Sequence, residues 1–486
     1  MTIAGPALLP LEAGEQYRFT FDMEACVGCH SCEVACAEQN DTPVDQAWRR
    51  VGELEGGTFP DTRRFSLSIA CNHCVEPTCL SGCPTNAYEK LGNGLVVHHE
   101  DDCIGCQYCI WNCPYEVPVF NPVRKIVSKC DMCRPRIDAG QNPACVQSCP
   151  SHAIGIEPVN VAAWREDSTG ADAPGLPPAS ITLSTTRIVL PHALPEDTSG
   201  ANERAVTPEH PHWPLIVLTL LTQLSLGMVA ATVLLGLAGA GRASLEGAAT
   251  AAWLAGALAL GASLFHLGRP TRALKALRNL RTSWLSREVA LFGIFSFLCL
   301  AYAAGRGSAV GVAVVVAGMA GVYASARLYL VPARPVWNSR RTPVAFFATA
   351  ASVGPVAALL CVDRSVMRPG WIAALLAIAA AGSVAQLAVM GHLMVAIRHR
   401  RDAQHQGTAD LLAGPFRGLV YARVTAAGIT LALLAYAADA PLGSAASGGR
   451  LAVAFVVAGL GELIGRYLFY VTVVPYRVAA GFFGLR

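Results

Sequence analysis

The sequence predicts a small α+β domain followed by an all-α membrane domain of eight transmembrane helices. Sixteen of the 18 cysteines lie between Cys26 and Cys149, whereas Cys299 and Cys361 stand alone in apolar stretches. The sequence after the cysteines is rich in Ala, Leu, Val and Gly, with the long uncharged runs that are typical of membrane spans. We therefore expect a metal-binding domain over residues 1–157, a tail and linker over 158–213, and a membrane anchor over 214–486.

The charge of the metal-loaded protein indicates no nucleic-acid partner, and the start of the sequence has no pattern typical of an export signal. The formal net charge is +3, but metal-ligating thiols are deprotonated, so a metal-loaded protein would be acidic. The first 25 residues lack a basic start and an apolar core, and no twin-arginine pair precedes an apolar run. If the N-terminal domain is exported, we expect a partner protein to carry it.

The cysteines of the N-terminal domain form four groups with similar spacing. Two groups have gaps of two, two and three residues, one has four residues in its middle gap, and one has eleven there. Proline follows the last cysteine of three groups, and Ala37 takes that place in the first. The groups are Cys26, Cys29, Cys32 and Cys36; Cys71, Cys74, Cys79 and Cys83; Cys103, Cys106, Cys109 and Cys113; and Cys130, Cys133, Cys145 and Cys149.

This spacing is typical of iron–sulfur clusters held in ferredoxin-like pairs. Three thiolates on a tight loop reach three corners of one cubane, and we expect the fourth cysteine to open a short helix and bind the partner cluster. Four groups then form a ferredoxin-like double dicluster domain with four [4Fe-4S] clusters. Disulfides are expected in secreted proteins, and zinc ribbons use separated C-x2-C pairs without a following Cys-Pro, so both explain the pattern less well.

Short strands complete the predicted domain. Residues 88–90 and 95–97 flank 91–94, which have the Leu-Gly-Asn-Gly composition of a hairpin turn. Residues 17–21 and 153–156 have strand-like composition and fit the edges of a small ferredoxin sheet.

Three cysteine groups lie in longer motifs that resemble the four-cluster subunit of the dimethyl sulfoxide reductase family. The motifs are Cys71-Asn72-His73-Cys74, Cys103-Ile104-Gly105-Cys106 and Lys129-Cys130-Asp131-Met132-Cys133. The resemblance covers about residues 15–190. It implies four ligand sets, each with three cysteines from one group and one from the paired group.

The implied ligand sets, numbered one to four, are as follows: Cys26, Cys29, Cys32 with Cys149; Cys130, Cys133, Cys145 with Cys36; Cys71, Cys74, Cys79 with Cys113; and Cys103, Cys106, Cys109 with Cys83. Some relatives lack the second cysteine of the third group and hold a three-iron cluster there. Because this protein has Cys106, we expect four irons in every cluster.

Residues 158–213 are rich in Pro, Gly, Ser and Asp, which is typical of a flexible tether. Within them, 176–191 resemble the extended tail of the family's cluster subunit, so we expect this stretch to be ordered and 193–212 to be the looser joint. In most relatives the cluster subunit and the membrane anchor are separate polypeptides, so the fusion departs from the family pattern.

Eight apolar stretches have about the ~20 residues that a helix needs to cross the hydrocarbon. The third and fourth are separated only by Gly305-Arg306-Gly307. The predicted spans are residues 214–240, 248–267, 288–305, 308–331, 343–361, 370–397, 418–438 and 450–473.

Polar residues near the span ends resemble the quinol-oxidising anchor of dimethyl sulfoxide reductases and, more loosely, the anchor of polysulfide reductases. His266 ends the second span, Arg269 and Arg272 follow it, and Glu288 begins the third span. Histidine can bond a quinone oxygen and move its proton, so the resemblance implies that these four residues bind quinone. The alternative is that His266 caps a helix at the membrane interface and that the arginines determine topology.

Glu462 and Arg466 lie four residues apart in the last span, so both occupy one helix face. A carboxylate within the membrane is costly and is usually functional. The pair is either a structural ion pair or part of a proton path, and both interpretations stay open.

The predicted order of domains places the clusters and His266 on one side of the membrane, because the second span returns to the side of the cluster domain. We expect a non-catalytic subunit that passes electrons between menaquinone or ubiquinone and a molybdenum bis-pterin catalytic subunit. Dimethyl sulfoxide-type reductases draw electrons from quinol, and sulfite dehydrogenases deliver them to quinone.

Two alternatives to this function remain. An anchor of the haem b type, as in formate dehydrogenases and nitrate reductases, needs facing histidines, and only His266 and His392 are candidates. We therefore expect no haem. The other alternative is a membrane protein with a regulatory cluster domain.

Basic residues predict that the cluster domain faces the cytoplasm across a bacterial inner membrane. Loops on the side of the cluster domain and the C-terminus hold sixteen Arg and Lys residues, against five on the opposite side. The missing export signal agrees. Dimethyl sulfoxide reductases of the family face the periplasm, which is the alternative.

Overall fold

The computed structural model describes residues 8–200, 206–438 and 445–478 and divides into two compact units. The first unit comprises Met1–Ala205, Pro332–Arg334 and Pro475–Arg486, and the second comprises Val206–Val331 and Pro335–Val474. Small sheets with short helices make up the first unit, and long apolar helices make up the second. The predicted fold class is confirmed.

Ten short strands are found among the described residues of the first unit. They are β1 (Glu15–Asp22), β2 (Arg50–Gly56), β3 (Arg63–Ile69), β4 (Tyr88–Lys90), β5 (Val96–His98), β6 (Val119–Asn121), β7 (Ile126–Ser128), β8 (Ile154–Asn160), β9 (Arg187–Val189) and β10 (Ser199–Gly200). They form two three-stranded sheets, ordered β8-β1-β9 and β10-β2-β3, and two hairpins, β4-β5 and β6-β7.

The strands predicted from sequence are confirmed. β4 and β5 form the expected antiparallel hairpin, with Tyr88 opposite His98. β1 and β8 pair antiparallel, with Phe19 opposite Ile156, and β9 from the predicted tail joins β1 in parallel. Residues 201–205 of the predicted joint lie outside the described residues.

Six short helices accompany these sheets: α1 (Ser31–Asn40), α2 (Thr78–Gly82), α3 (Tyr108–Asn112), α4 (Arg134–Asp138), α5 (Ala144–Gln147) and α6 (Val161–Glu166). The prediction that the fourth cysteine of a group opens a helix is wrong. The helix instead carries the third cysteine and ends at or before the fourth, except in the first group.

The proline after the fourth cysteine explains where these helices end. A residue before proline is disfavoured in helical conformation, and Cys83 and Cys113 adopt extended ψ angles of 121° and 116° directly after α2 and α3. In the first group Ala37 stands in place of proline, and α1 continues through Cys36 to Asn40.

The second unit contains nine further helices among its described residues. They are α7 (Trp213–Leu237), α8 (Arg242–Ser263), α9 (Trp284–Ala303), α10 (Ser308–Leu328), α11 (Arg341–Cys361), α12 (Pro369–His399), α13 (Ala403–Ala413), α14 (Arg417–Ala438) and α15 (Ala445–Val471). Eight are long and apolar enough to cross a membrane, and they correspond to the eight predicted spans. The short α13 lies in the predicted loop between the sixth and seventh spans.

Glycines bring three of the spanning helices into direct backbone contact. A Cβ atom on Gly227 of α7 would lie 2.0 Å from the carbonyl oxygen of Ala350 on α11. One on Gly382 of α12 would lie 2.5 Å from the backbone nitrogen of Ser352, also on α11. Small residues allow this close approach in membranes, so α7, α11 and α12 pack without side chains between them.

A cluster of buried apolar side chains fills the end of the bundle at which α7 finishes. Its members come from α7, α8, α11, α12, α14 and α15 and include Leu235, Leu359, Leu375, Leu434 and Leu451. All of the cluster's side chains are apolar. This end of the bundle therefore has an apolar core shared by six helices.

Candidate functional site

Set one brings together the two ends of the cysteine-rich sequence. Cys26 interacts electrostatically with Cys149 and Cys29, although Cys149 is far away in the sequence. The sulfur of Cys32 lies 3.6 Å from the hydroxyl oxygen of Ser68. Packing of α1 against α5 accounts for this closure.

In set two, one side-chain amide lies close to cysteines from two different groups. Nδ2 of Asn40 lies 3.7 Å from the sulfur of Cys36 and 3.9 Å from that of Cys133. Cys36 also interacts electrostatically with Cys145, and Cys130 with Cys36. Cysteines from the first and fourth groups therefore share one site.

Set three is built from the second and third groups. Cys74 and Cys79 both interact electrostatically with Cys71 and Cys113. The hydroxyl of Thr182 donates a hydrogen bond of 3.1 Å to the sulfur of Cys74. Thr182 comes from the predicted tail, so the tail contributes a donor to this site.

Set four completes the series. Cys106 and Cys109 both interact electrostatically with Cys83 and Cys103. The backbone amide of Gly105 donates to the sulfur of Cys103 at 3.4 Å. In each of the four implied sets, a cysteine from one group thus interacts electrostatically with the cysteine from the paired group.

Hydrogen-bond donors surround several of the sulfur atoms, which suits the thiolate ligands of iron–sulfur clusters. Amides that donate to sulfur, such as the backbone N–H of Met132 at 3.4 Å from Cys130, fit anionic cluster ligands.

A buried lysine stands between the second and third sets. Nζ of Lys129 lies 3.6 Å from the sulfur of Cys71 and 2.8 Å from the carbonyl oxygen of Cys130. Burial opposes its charge, yet the Cys71 and Cys79 thiolates raise the pKa of Lys129 above its usual value. The side chain is therefore a permanent cation among thiolates, and such charges tune cluster potentials.

A buried tyrosine stands between the third and fourth sets. Tyr88 interacts electrostatically with Cys79 and Cys109, one from each set. Its ring packs on His98 at a centroid distance of 4.7 Å. Burial and the charge of Lys129 lower the pKa of His98 to about 3, so this imidazole is neutral near pH 7.

In the membrane unit, His266 belongs to a group of rings. It ends a 3-10 turn after α8, and its ring meets that of His212 edge-on at 5.6 Å. His212 directly precedes α7, and its ring lies 6.2 Å from that of Tyr470 on α15. Sequence analysis did not identify His212 or Tyr470. The sequence feature that could have indicated His212 is the presence of two histidines, His210 and His212, just before the first span.

Glu288 lies in the first turns of α9 and is only 7% exposed. It interacts electrostatically with the hydroxyls of Tyr329 and Tyr470, which are hydrogen-bonded to each other. Tyr470 therefore connects the surroundings of Glu288 with the ring group of His266. Arg269 and Arg272 lie half-buried in the loop directly after His266.

Among the described residues, Glu462 and Arg466 interact electrostatically, but their hydrogen bonds go to other side chains. Oε2 of Glu462 accepts hydrogen bonds from Thr349 at 2.8 Å and from Gln386 at 3.0 Å. Arg466 donates to Oε1 of Gln223 at 2.8 Å. Glu462 also interacts electrostatically with Arg423 and Arg466, so the structural pair and the proton path both stay predictions.

Glu462 lines two small cavities. The larger, of about 80 Å³, lies between the ends of α11, α12, α14 and α15, and its wall also includes Gln386, Arg423 and Arg466. The smaller, of about 20 Å³, continues toward the middle of the bundle and reaches Thr430. His392 instead lines an open groove between α11 and α12.

Comparison with known families covers both units. Residues 63–157 match the family model of a 4Fe-4S dicluster domain, and residues 208–471 match that of the DMSO reductase anchor subunit (DmsC). The second match spans more than half of the sequence.

Individual relatives match the N-terminal part. A chain of the anaerobic dimethyl sulfoxide reductase of Haemophilus influenzae is 37% identical over 198 residues, which are 38% of this protein and 96% of the relative. The chain of the same name from Escherichia coli K12 is 35% identical over 202 residues, 40% of this protein and 98% of the relative. A sulfite dehydrogenase subunit of Allochromatium vinosum is 36% identical over 160 residues, 28% of this protein and 67% of the relative.

Proposed function

Because the protein belongs to the DMSO reductase anchor (DmsC) family and carries an iron–sulfur electron-transfer subunit fused ahead of the anchor, we propose that it connects the quinone pool to a separate catalytic subunit. The observation that supports this proposal is that one polypeptide contains both the iron–sulfur domain and the membrane anchor. By its relation to the matching chains of anaerobic dimethyl sulfoxide reductases, the partner is a molybdenum bis-pterin subunit, and this protein performs no substrate chemistry of its own.

Four [4Fe-4S] clusters are assigned to the four cysteine sets. When bound, the clusters carry electrons one at a time between quinone and the catalytic partner. The protein's own residues bind them through thiolates and tune them through buried donors. Asn40 and Thr182 donate to sulfur, and Lys129 supplies a positive charge between sets two and three.

The quinone site is assigned to His266 and Glu288, with Arg269 and Arg272 from the adjoining loop. An imidazole at the end of a span bonds a quinone oxygen, and a buried carboxyl exchanges the accompanying proton. Menaquinone and ubiquinone both suit this chemistry. Glu462 and Arg466 are assigned to a proton path, because Glu462 lines two cavities and Arg466 lines the larger one beside it.

Iron analysis tests the cluster assignment. Anaerobically purified protein should contain about sixteen irons and an equal amount of acid-labile sulfide per polypeptide. Stoichiometric zinc in place of iron would refute it.

The Cys106→Ser variant tests an individual ligand. Cys106 lies in set four alone, so this change should alter or remove one cluster signal in electron paramagnetic resonance and leave three. Cys299→Ser, outside the cysteine groups, is the matched control and should leave all four. Loss of two or more clusters in Cys106→Ser without loss of folding would contradict the partition.

No haem is expected in the purified protein. His266 packs against His212, which directly precedes α7, and His392 lines an open groove between α11 and α12. A reduced-minus-oxidised absorption spectrum should therefore lack haem b bands. Haem b bands in stoichiometric amount would instead indicate an anchor of the formate dehydrogenase type.

The cluster domain is assigned to the cytoplasmic side. The sixteen basic residues on the side of that domain, against five opposite, support this orientation. Protease added to intact spheroplasts should leave the domain whole, while the same protease should digest it in inverted vesicles. Digestion from outside in intact spheroplasts would place the domain in the periplasm.

A further inference from the structure

Two tyrosines with buried hydroxyls form a contact that the sequence did not indicate. Tyr329 follows α10 and Tyr470 lies near the end of α15, and their hydroxyls are hydrogen-bonded to each other. The side chains are almost fully enclosed, at 2% and 1% exposure. Each hydroxyl can donate one proton and accept another, so the pair can pass a proton without a net change in either residue.

The proposed quinone site lies next to the Tyr329–Tyr470 pair. Glu288 interacts electrostatically with Tyr329 and Tyr470, and the His212 ring adjoins that of Tyr470. His212 in turn packs edge-on against His266. Both groups assigned to quinone protons therefore lie within one or two residues of the pair.

The Glu462 cavity lies on the other side of the pair. Arg466 interacts electrostatically with both tyrosines and lines the 80 Å³ cavity together with Glu462. Most of the cavity wall is apolar, but Glu462, Gln386 and Arg423 provide polar partners for water. A water needs only ~10–15 Å³, so the cavity has room for water beside these side chains. Thr472 also lines it, so the cavity reaches the end of α15.

We propose that the Tyr329–Tyr470 hydroxyl pair is a proton relay between the quinone site and the water-holding cavity at Glu462. The inference rests on the quinone site proposed at His266 and Glu288, and it adds the route by which that site exchanges protons. Tyr329 and Tyr470 interact electrostatically with Glu288, which is assigned to take a quinone proton, so they are relay residues.

The relay provides a route for protons that quinol oxidation releases. Oxidation of one quinol to quinone breaks two O–H bonds and yields two electrons, which pass to two one-electron acceptors, and two protons. His266 and Glu288 take the protons. From Glu288, Tyr329 accepts a proton and passes its own to Tyr470, which passes its own toward the cavity that Arg466 and Glu462 line. The half-exposed His266 releases the second proton to the aqueous phase at the end of the span. Quinone reduction runs the same transfers in reverse.

Conservative variants test the relay without disturbing the fold. Tyr470→Phe and Tyr329→Phe remove only a hydroxyl, whereas Tyr467→Phe removes one on the same helix from a ring that packs on Trp213. The measurement is the rate of quinol-driven cluster reduction in water and in deuterium oxide, on the complete membrane complex. Reduction by dithionite, which bypasses the quinone, serves as the check on the clusters.

The expected result is a rate at least about tenfold lower in each relay variant, with a larger solvent isotope effect because proton transfer becomes limiting. Dithionite reduction and the Tyr467→Phe control should match the unaltered protein, and Glu462→Gln should resemble the relay variants. Rates and isotope effects equal to those of Tyr467→Phe would overturn the relay. A slower rate with an unchanged isotope effect would make the pair structural and would also overturn it. Failure of quinol to reduce the clusters in the unaltered complex would remove the quinone site itself.

Discussion

Replacing His266 by alanine is expected to abolish electron exchange with quinol. The imidazole ends the 3-10 turn after α8 and packs on His212, so its loss removes the group that bonds a quinone oxygen and accepts its proton. General acid–base groups contribute about a hundredfold or more, so quinol-driven cluster reduction should fall at least that far. Stopped-flow absorbance of the clusters after quinol addition measures the effect.

Two controls isolate the role of His266 from a loss of folding. Dithionite should reduce the clusters of His266→Ala normally, because that route does not use quinone. The matched control is His392→Ala, which changes an exposed histidine of α12 and should leave quinol kinetics unaltered. Normal quinol kinetics in His266→Ala would leave this residue as a helix cap.

Replacing Gly227 by leucine is expected to prevent the membrane unit from folding. The first side-chain carbon would lie 2.0 Å from a backbone oxygen of α11, and no flexible side chain can move aside to relieve the overlap. Overpacking of this kind costs about 3 kcal/mol or more, which is a large part of a protein's stability. Yield and size-exclusion profile after detergent extraction measure the loss.

Gly428 provides the matched control for this substitution. It lies in the middle of α14, and a Cβ atom there would meet nothing within 4 Å. Gly428→Leu should therefore be extracted as a homogeneous species at normal yield. A homogeneous, normally abundant Gly227→Leu protein would show that α7 and α11 do not pack as described.

Local sequence pattern was sufficient to predict the architecture. Each cysteine group is a short loop whose spacing reflects the size of a cubane, and each span is a run long enough to cross a bilayer. Such features depend on neighbours in the sequence, which explains why the hairpin at Tyr88–Lys90 and the break between α9 and α10 were also predicted correctly. The helix ends at Cys83 and Cys113 were missed although the following prolines were visible.

Contacts between distant helices could not be predicted in this way. Spacing along one helix places Arg466 near Glu462, but it gives no sign of Thr349 and Gln386, which donate hydrogen bonds to the carboxylate from neighbouring helices. The Tyr329–Tyr470 contact joins residues 141 positions apart. Neither tyrosine stands out in the sequence, because a tyrosine near the end of a span is ordinarily an interface anchor.

The apolar cluster at the far end of the bundle has an electrical consequence. A transmembrane voltage falls mainly across the layer of lowest polarisability, which here is the half containing Leu235, Leu359 and Leu434. The larger cavity at Glu462 lies toward the other end of α11, beside Arg341 and Thr342. With the proton path proposed above, we expect protons exchanged there to cross little of the field, which costs ~2.3 kcal/mol per charge at 100 mV when crossed in full. Turnover is then expected to do little electrical work against the membrane potential.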